Sequence, residues 1–176
     1  KDSKINCDKV LVAVGVKANS KNLGLKNNSI KTNKGWITTN EFMQTNIDNI
    51  FAIGDVAGPP WLAHVASAEA ITAVEYLCNL SPKPMNYKNI PGCTYCHPEV
   101  ASVGLTEKQA IDQGYKIKIG KFPFRALGKA VAIGETNGFV KIIFDDKYGE
   151  LLGCHIIGSN ATDLISEISL ARDLET

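Results

Sequence analysis

The sequence predicts two fold types in one chain, α/β and then α+β. Pieces of parallel-sheet α/β domains come first, and a unit with an antiparallel sheet and helices follows. Two short apolar runs, residues 10–15 and 50–55, end in glycine or in Gly-Asp, which is typical of strands buried on both faces of a parallel sheet. From residue 92 onward, several short alternating runs favour antiparallel strands. Residues 81–84 have the Ser/Pro-rich composition of a domain linker.

The first half also contains the pattern of one small strand and one helix. The small strand is expected at residues 36–39. Apolar residues recur at three- and four-residue steps from His64 to Leu80, which indicates an amphipathic helix. The residues that recur at these steps are Val65, Ala68, Ile71, Val74, Leu77 and Cys78.

The second half is predicted to alternate strands with two helices. Thr106 and Gln109 have the spacing of a capping box, so a short helix is expected to begin there and to stop at Gly114. Residues 145–149 are expected to connect the last two strands as a hairpin, and a final helix begins near residue 160. Strands are predicted at residues 92–96, 100–104, 115–124, 139–144 and 151–157. The final helix is expected to direct Leu164, Ile165, Ile168 and Ala171 inward.

Charge and hydropathy exclude several classes of function. The formal net charge is +1 and the lysines are scattered, so no nucleic-acid partner is expected. No apolar run approaches the roughly 18–20 residues that span a bilayer, so no membrane association is expected either.

The five cysteines point to a reducing compartment. Their odd number and wide spacing disfavour a secreted disulfide framework. Cys93 and Cys96 have the spacing of a redox pair or of half a zinc site, but no second Cys/His pair follows at finger spacing. A reactive pair also prefers a helix N-terminus, whereas these two residues lie in a predicted strand. We interpret them as two buried strand cysteines and expect no metal site.

Both ends of the sequence suggest a fragment. The first residue is Lys1 rather than an initiator Met, and the final predicted helix reaches Thr176 without a Gly, Asn or Pro terminator. We therefore expect a chain cut at both ends.

The most informative segment for function is residues 45–55. Its last residue, Asp55, follows Gly54 at the predicted carboxyl end of a strand, where open α/β sheets bind ligands. Gly54 would let a ligand approach the backbone, and Asp55 could accept hydrogen bonds from sugar-type hydroxyls. The dipeptide by itself is more typical of a plain turn, so the flanking residues decide.

The flanking residues resemble a known flavin motif. Residues 45–55, followed by a loop and by Leu62-Ala63-His64 at a helix start, are similar to the second flavin motif of the pyridine nucleotide-disulfide oxidoreductases. Over the whole chain, the resemblance is greatest to the dihydrolipoamide dehydrogenase branch of that family. The further segments that carry it, in family order, are residues 11–15, 97–104, 120–124 and 152–158.

The resemblance implies a role for each residue of this segment. Asp55, after Gly54, matches the carboxylate that binds the ribityl chain of FAD, and Gly15 matches a glycine that lines the NAD site. A helix start is also physically suited to reduced flavin, because its N–H groups and positive dipole end stabilise negative charge. Trp61 stands where the family often has Met. The residues matching the segment against the flavin ring are Trp61, Leu62, Ala63 and His64.

The resemblance also implies a domain plan and an activity for the parent protein. Residues 1–25 match the end of the NAD-binding domain, 26–84 the C-terminal part of the FAD-binding domain, and 85–176 the interface, or dimerisation, domain without its C-terminus. The parent is expected to oxidise dihydrolipoyl groups through a redox disulfide and FAD, with hydride transfer to NAD. The sequence contains neither the family's Cys-x4-Cys redox pair nor its His-x4-Glu acid–base pair nor a G-x-G-x-x-G loop. The fragment alone is therefore expected to be inactive, to have no catalytic residue of its own and to bind FAD weakly or not at all.

The implied partners are a second copy of the parent, through the interface domain, and the lipoyl domain of a 2-oxo acid dehydrogenase complex. The implied location is the cytoplasm of a bacterium or the mitochondrial matrix of a eukaryote. Two alternatives stay open. One is another flavoprotein disulfide reductase, similar to glutathione or mercuric reductase. The other is a stand-alone, non-catalytic dimerisation module, which the unpaired runs at residues 10–15 and 50–55 disfavour.

Overall fold

The computed structural model describes residues 3–175 and divides into two compact units, Lys1–Met85 and Asn86–Thr176, which we call unit 1 and unit 2. Unit 1 has little regular secondary structure. It contains two short antiparallel strands, β1 (Thr32–Asn33) and β2 (Trp36–Ile37), a 3-10 turn (Gly54–Ala57) and one long helix, α1 (Ala63–Leu77). The predicted small strand is thus confirmed at its first two residues.

Residues 10–15 do not form the predicted strand. The side chains of Val10, Leu11, Val12 and Val14 are between 75% and 93% exposed. A parallel strand needs neighbours that satisfy its N–H and C=O groups. Within the described residues no strand pairs with this run, so its apolar pattern has no sheet to join.

The predicted strand at residues 50–55 is also wrong as an element. Phe51 forms only an isolated antiparallel bridge with Gln44, and the 3-10 turn begins at Gly54. The run instead folds back on the preceding residues, where the Ala52 N–H donates to the Met43 carbonyl oxygen at 3.0 Å. Both Ala52 and Met43 are buried, so the apolar run contributes to a small local core rather than to a parallel sheet.

Helix α1 confirms the predicted helix, but it buries another face than the one predicted. Glu69 and Ala73 are buried on the side of Val65, whereas Ile71 and Val74 are more than half exposed. The buried side packs on the loops of unit 1, where the ring of Tyr76, on the same helix, stacks on Phe42. Among the described residues of unit 1, nothing covers Ile71 and Val74, so the three- and four-residue pattern was right for Val65 and wrong for these two residues.

Unit 2 contains one five-stranded antiparallel sheet with strand order β3-β4-β7-β6-β5. The strands are β3 (Gly92–Thr94), β4 (Glu99–Gly104), β5 (Ile117–Pro123), β6 (Phe139–Asp145) and β7 (Leu151–Gly158). The helices are α2 (Glu107–Asp112), α3 (Gly128–Ala132) and α4 (Ala161–Asp173). The predicted α+β class with an antiparallel sheet is confirmed, and the short helix α3 is an addition to it. The helices found between residues 3 and 175 are all too short or too polar to cross a lipid bilayer.

The core of unit 2 lies between the sheet and helix α4. Ile165 of α4 is 1% exposed, as predicted, whereas Leu164 is largely exposed, contrary to prediction. Successive helical residues point about 100° apart, so the two cannot both face the sheet. The residues buried in this cluster are Ala101, Val103, Phe124, Ala130, Cys154, Ile156, Ala161 and Ile165. A smaller cluster of Ala110, Ile143 and Leu152 lies at α2.

Side chains fix the starts of helices α2 and α4. The capping box is confirmed: the Thr106 hydroxyl accepts from the backbone N–H of Gln109 at 3.3 Å, and the side-chain Oε1 of Gln109 accepts from the Thr106 N–H at 2.9 Å. Helix α4 is held from outside its own sequence. The Glu99 carboxylate accepts from the Thr162 N–H at 3.0 Å and from its hydroxyl at 2.7 Å, and these bonds lower the pKa of Glu99.

The five cysteines are free thiols. Burial raises the pKa of the Cys154 thiol to about 11, and burial, with Glu99 and Asp163 nearby, raises that of Cys93. Cys93 lies in β3 and is partly buried, whereas Cys96 is exposed and lies beyond the strand. The interpretation of two buried strand cysteines was therefore wrong for Cys96, because β3 ends early and the chain turns there. Residues 3–175 hold no group of three or more His, Cys, Asp or Glu side chains placed to bind a metal.

Candidate functional site

Gly54 opens the 3-10 turn of unit 1 in a backbone conformation that favours glycine. Its φ is +69°, and a Cβ atom there would lie 3.2 Å from the Cβ of Ala66 on helix α1. The Gly54 N–H donates to a carboxylate oxygen of Glu69 at 2.6 Å. The predicted Gly-Asp turn and the first two turns of α1 are therefore held together.

Glu69 is the residue at this site that the sequence analysis missed. Its side chain is buried, with 5% of the residue exposed, and it lies on the same helical face as Val65 and Ala73. The missed signal is a carboxylate in helical step with buried positions, since a buried charge is rare unless it is hydrogen-bonded. The bond to Gly54 supplies that partner, so Glu69 has a positioning role.

Asp55 follows Gly54, whose N–H is bonded to Glu69, and the Asp55 side chain is exposed. The backbone on which it stands is fixed, because its own carbonyl oxygen accepts from the Gly58 N–H at 3.3 Å. A carboxylate of this kind can accept hydrogen bonds from the hydroxyl groups of a bound molecule.

The start of α1 offers backbone donors beside this turn. Leu62 is the N-cap, with an extended backbone (φ −133°), and its side chain does not cap the helix. The first N–H groups of an α-helix have no intrahelical acceptor and carry the positive end of the helix dipole. Ala63 and His64 stand at this end and are exposed. The helix start is thus suited to an acceptor-rich or anionic edge of a ligand.

Trp61, directly before this helix, provides an aromatic surface. Its ring stacks on that of Trp36, with centroids 5.7 Å apart and planes inclined by 26°. Trp61 remains 38% exposed, so part of the ring is open to a ligand.

Gly15 lies apart from these residues. It has φ +124°, and nothing lies within 4 Å of the position of an added Cβ atom. Among the described residues, no hydrogen bond joins Gly15 to the 3-10 turn or to α1. The structure therefore brings together the predicted residues around Gly54 and the helix start, and it does not bring Gly15 to them.

The two other histidines of the chain, His97 and His155, lie in unit 2. The His155 ring lies 3.0 Å from the Ser102 hydroxyl oxygen through Nδ1 and 3.1 Å from the Leu105 carbonyl oxygen through Nε2. Because a carbonyl oxygen only accepts, Nε2 carries the proton, and the ring links two strands with the loop that follows β4. His97 is exposed, 3.9 Å from the Glu135 carboxylate.

Taken together, the turn, the helix start and the indole form one arrangement in unit 1. It combines an exposed carboxylate, unpaired backbone donors and a partly open aromatic ring. An extended ligand with a hydroxyl-bearing chain and a planar heterocycle uses each of these groups. None of these groups is a nucleophile paired with a base.

Comparison with protein families identifies both units. Residues 90–176 match the pyridine nucleotide-disulphide oxidoreductase dimerisation domain, and residues 1–70 match the pyridine nucleotide-disulphide oxidoreductase domain.

Curated relatives are longer than this chain. Dihydrolipoyl dehydrogenase of Zymomonas mobilis is 52% identical over 94% of the chain and 36% of its own length, and that of Bacillus subtilis is 49% identical over 97% and 36%. Dihydrolipoyl dehydrogenase of Rhizobium etli is 48% identical over 100% of the chain and 37% of its own length. The chain thus spans little more than a third of the relatives that it matches.

Solved structures share the fold. The HOCl-induced flavoprotein disulfide reductase RclA of Escherichia coli superposes with a TM-score of 0.86 at 26% identity, over 92% of this chain and 38% of RclA. LpdA of Mycobacterium tuberculosis superposes with a TM-score of 0.84 at 24% identity, over 90% of this chain and 35% of LpdA.

Proposed function

The chain belongs to the pyridine nucleotide-disulphide oxidoreductase family, and we propose that the longer protein of which it is part is a dihydrolipoyl dehydrogenase. That enzyme oxidises dihydrolipoyl groups through a redox disulfide and FAD, with NAD as the hydride acceptor. One observation carries the proposal: relatives of that name are 48–52% identical over nearly the whole chain, compared with 26% for the disulfide reductase RclA.

The residues around the 3-10 turn fit FAD. Asp55 offers an exposed carboxylate to the ribityl hydroxyls, and Gly54 leaves the backbone open beside it. When bound, the flavin accepts and releases two electrons during turnover. The N–H groups at Ala63 and His64 would donate to the acceptor edge of its ring, and the dipole of α1 would stabilise negative charge there. Leu62 sets the angle at which the chain enters that helix.

Gly15 is proposed to line the NAD site. Lacking a side chain, it allows a nucleotide to approach the backbone, and no residue between 3 and 175 obstructs that position. The apolar residues that precede it, 10–14, are exposed here. In the longer protein they would become buried once neighbouring strands pair with this run.

Unit 2 is proposed to form a homodimer, since residues 90–176 match a dimerisation domain. Its surface carries large apolar side chains, among them Phe122, Val131 and Leu170, each half or more exposed. Exposed large apolar side chains on a dimerisation domain are candidates for burial in an oligomer interface. We also propose that the dimer serves the lipoyl domain of a 2-oxo acid dehydrogenase complex, in the bacterial cytoplasm or the mitochondrial matrix.

The test of this proposal is the turnover of the full-length protein with two substrate pairs. Oxidation of dihydrolipoamide by NAD is expected to proceed, and reduction of glutathione disulfide by NADPH is expected to be absent. The reverse pattern would move the protein to another branch of the same family and overturn the lipoyl assignment.

A variant connects the activity to the proposed site. Asp55→Ala is expected to weaken FAD binding about ten- to a hundredfold, because hydrogen bonds to charged groups contribute about 1.5–3 kcal/mol. Asp48→Ala removes another exposed carboxylate of the same unit and serves as the matched control. Equal FAD affinity in the two variants would exclude Asp55 from the flavin site.

A further inference from the structure

The two tryptophans of the sequence stack on each other in unit 1. Trp36 lies on β2, and Trp61 lies in the loop that leads to α1. They come from separate segments of the chain, so the contact is tertiary. The sequence pattern of neither segment predicts this contact.

Trp36 stands on a fixed support. Its neighbour Ile37 is buried, and β2 pairs with β1 through Asn33. The preceding residue, Gly35, accepts a hydrogen bond from the Ser20 hydroxyl at 2.5 Å, and Ser20 is itself buried. The backbone under the Trp36 ring is therefore held from both sides.

Trp61 lies on a connecting segment rather than on a strand. It lies between the 3-10 turn and the N-cap of α1, and connecting segments of this type are more mobile than the elements that they join. The stacked Trp36 ring fixes the plane of the Trp61 indole. A pair that served only the core would be hidden from solvent, whereas Trp61 keeps 38% of its surface open.

We propose that Trp36 is a positioning residue for the flavin site: it holds the Trp61 indole in the orientation in which that indole contacts the flavin ring. The inference rests on the proposed function, since it takes the ligand at this site to be FAD. Stacked and tilted aromatic contacts favour planar heterocycles beyond the area that they bury. A fixed indole also costs less conformational entropy on binding than a mobile one.

The test uses the full-length protein and the fluorescence lifetime of its bound flavin. An indole in contact with an excited flavin passes it an electron that then returns, so the emission is quenched without net chemistry. Trp36→Ala is expected to lengthen the bound-flavin lifetime and to weaken FAD binding about fivefold, the loss of one aromatic pair. Trp36→Phe keeps a stacked ring and is expected to stay close to wild type.

A double-mutant cycle separates positioning from general stability. Trp61→Phe is expected to lengthen the lifetime as well, and adding Trp36→Ala to it should cause little further change, because the two residues act as a unit. Trp36→Leu keeps apolar bulk without the stack and serves if Trp36→Ala does not fold. The thermal midpoint of each variant reports any loss of stability, which alone does not change the lifetime of flavin that remains bound.

Three results would overturn the inference. Wild-type lifetimes in Trp36→Ala or Trp36→Leu would show that the stack does not orient the indole, and effects of Trp36 and Trp61 that add would show that they act separately. Full-length wild-type protein that binds no FAD would overturn the proposed function along with the inference. Either of the first two results, in variants that still bind FAD, would overturn the inference and leave the proposed function standing.

Discussion

Unit 1 and unit 2 differ in what each supplies for itself. In unit 2, five strands form one hydrogen-bonded sheet, and helix α4 covers an apolar cluster that includes Ile165. In unit 1, residues 10–14 have the composition of a buried strand and lie in the open. Similar apolar patterns thus have opposite outcomes. An apolar pattern therefore makes a strand possible, and the strand forms only where partner strands are present.

The largest expected effect comes from truncating an apolar residue in each unit. Ile165→Ala should lower the free energy of unfolding of unit 2 by about 2–5 kcal/mol, because it leaves a cavity under α4. Leu11→Ala in this chain should change the free energy of unfolding of unit 1 by less than about 0.5 kcal/mol, since that side chain is 90% exposed. Urea denaturation of the two variants measures both values.

The same Leu11→Ala change sharpens the comparison in the full-length protein. There Leu11 is expected to be buried between strands, and the loss in free energy of unfolding should rise to about the 2–5 kcal/mol expected for Ile165→Ala. A cost that stays negligible in the full-length protein would contradict the assignment of residues 10–15 to a buried strand.

The next effect is steric and lies in unit 2. A Cβ atom on Gly158 would approach the ring of Phe124 without room for it, and φ at Gly158 is +150°. Gly158→Ala should therefore destabilise unit 2 by about 1–3 kcal/mol through overpacking. Gly120→Ala is the matched control, because nothing lies within 4 Å of its added Cβ. Thermal unfolding of the two variants is compared, and equal midpoints would be incompatible with the packing described for Phe124.

In unit 1, the corresponding test concerns the bond between Glu69 and Gly54. Glu69→Ala should cost about 1–3 kcal/mol, because it leaves the Gly54 N–H without its acceptor. Glu69→Gln retains an acceptor and should cost less. Hydrogen exchange at the Gly54 amide of the full-length protein measures the effect directly, and Glu75→Ala on the same helix is the control. Unchanged protection in Glu69→Ala would disprove the positioning role.

The smallest effect is a pH dependence in unit 2. Hydrogen bonds from Thr162 lower the pKa of Glu99 from its ordinary value of 4.5. The stabilisation is therefore present above that ordinary value and is lost as the pH falls through the lower, folded-state pKa. Glu99→Gln should flatten this part of the stability curve, whereas Glu167→Gln, which changes an exposed residue of α4, should not. Parallel curves for wild type and Glu99→Gln would rule out this linkage.

The parts of the fold that local pattern predicted are those that local interactions determine. The capping box at Thr106 and Gln109 and helix α1 follow from residues close in sequence. The strands of unit 2 have local alternating patterns, and each of them also finds a partner strand within the unit. The strand predicted at residues 10–15 depends on partners that the described residues do not provide. The wrong inward position of Leu164 is a matter of one residue, to which helical periodicity is sensitive.

The candidate site divides in the same way. The segment that contains Gly54, Asp55 and Trp61 was predicted because its residues are contiguous and form a recognisable motif. Trp36 and Glu69 were not predicted, because their roles depend on contacts with distant residues. A buried carboxylate and a stacked ring are visible only once the chain is folded.

We propose that the flavin site inferred for unit 1 binds FAD only within the longer protein, the proposed dihydrolipoyl dehydrogenase. This proposal is tested by purifying the full-length protein and the 176-residue chain side by side and measuring the FAD that each retains. The full-length protein should hold FAD in equal amount to its subunits, and the chain alone should hold little or none, because it contains no phosphate-binding glycine loop. A flavin-loaded chain of 176 residues, or a full-length protein without flavin, would contradict the account.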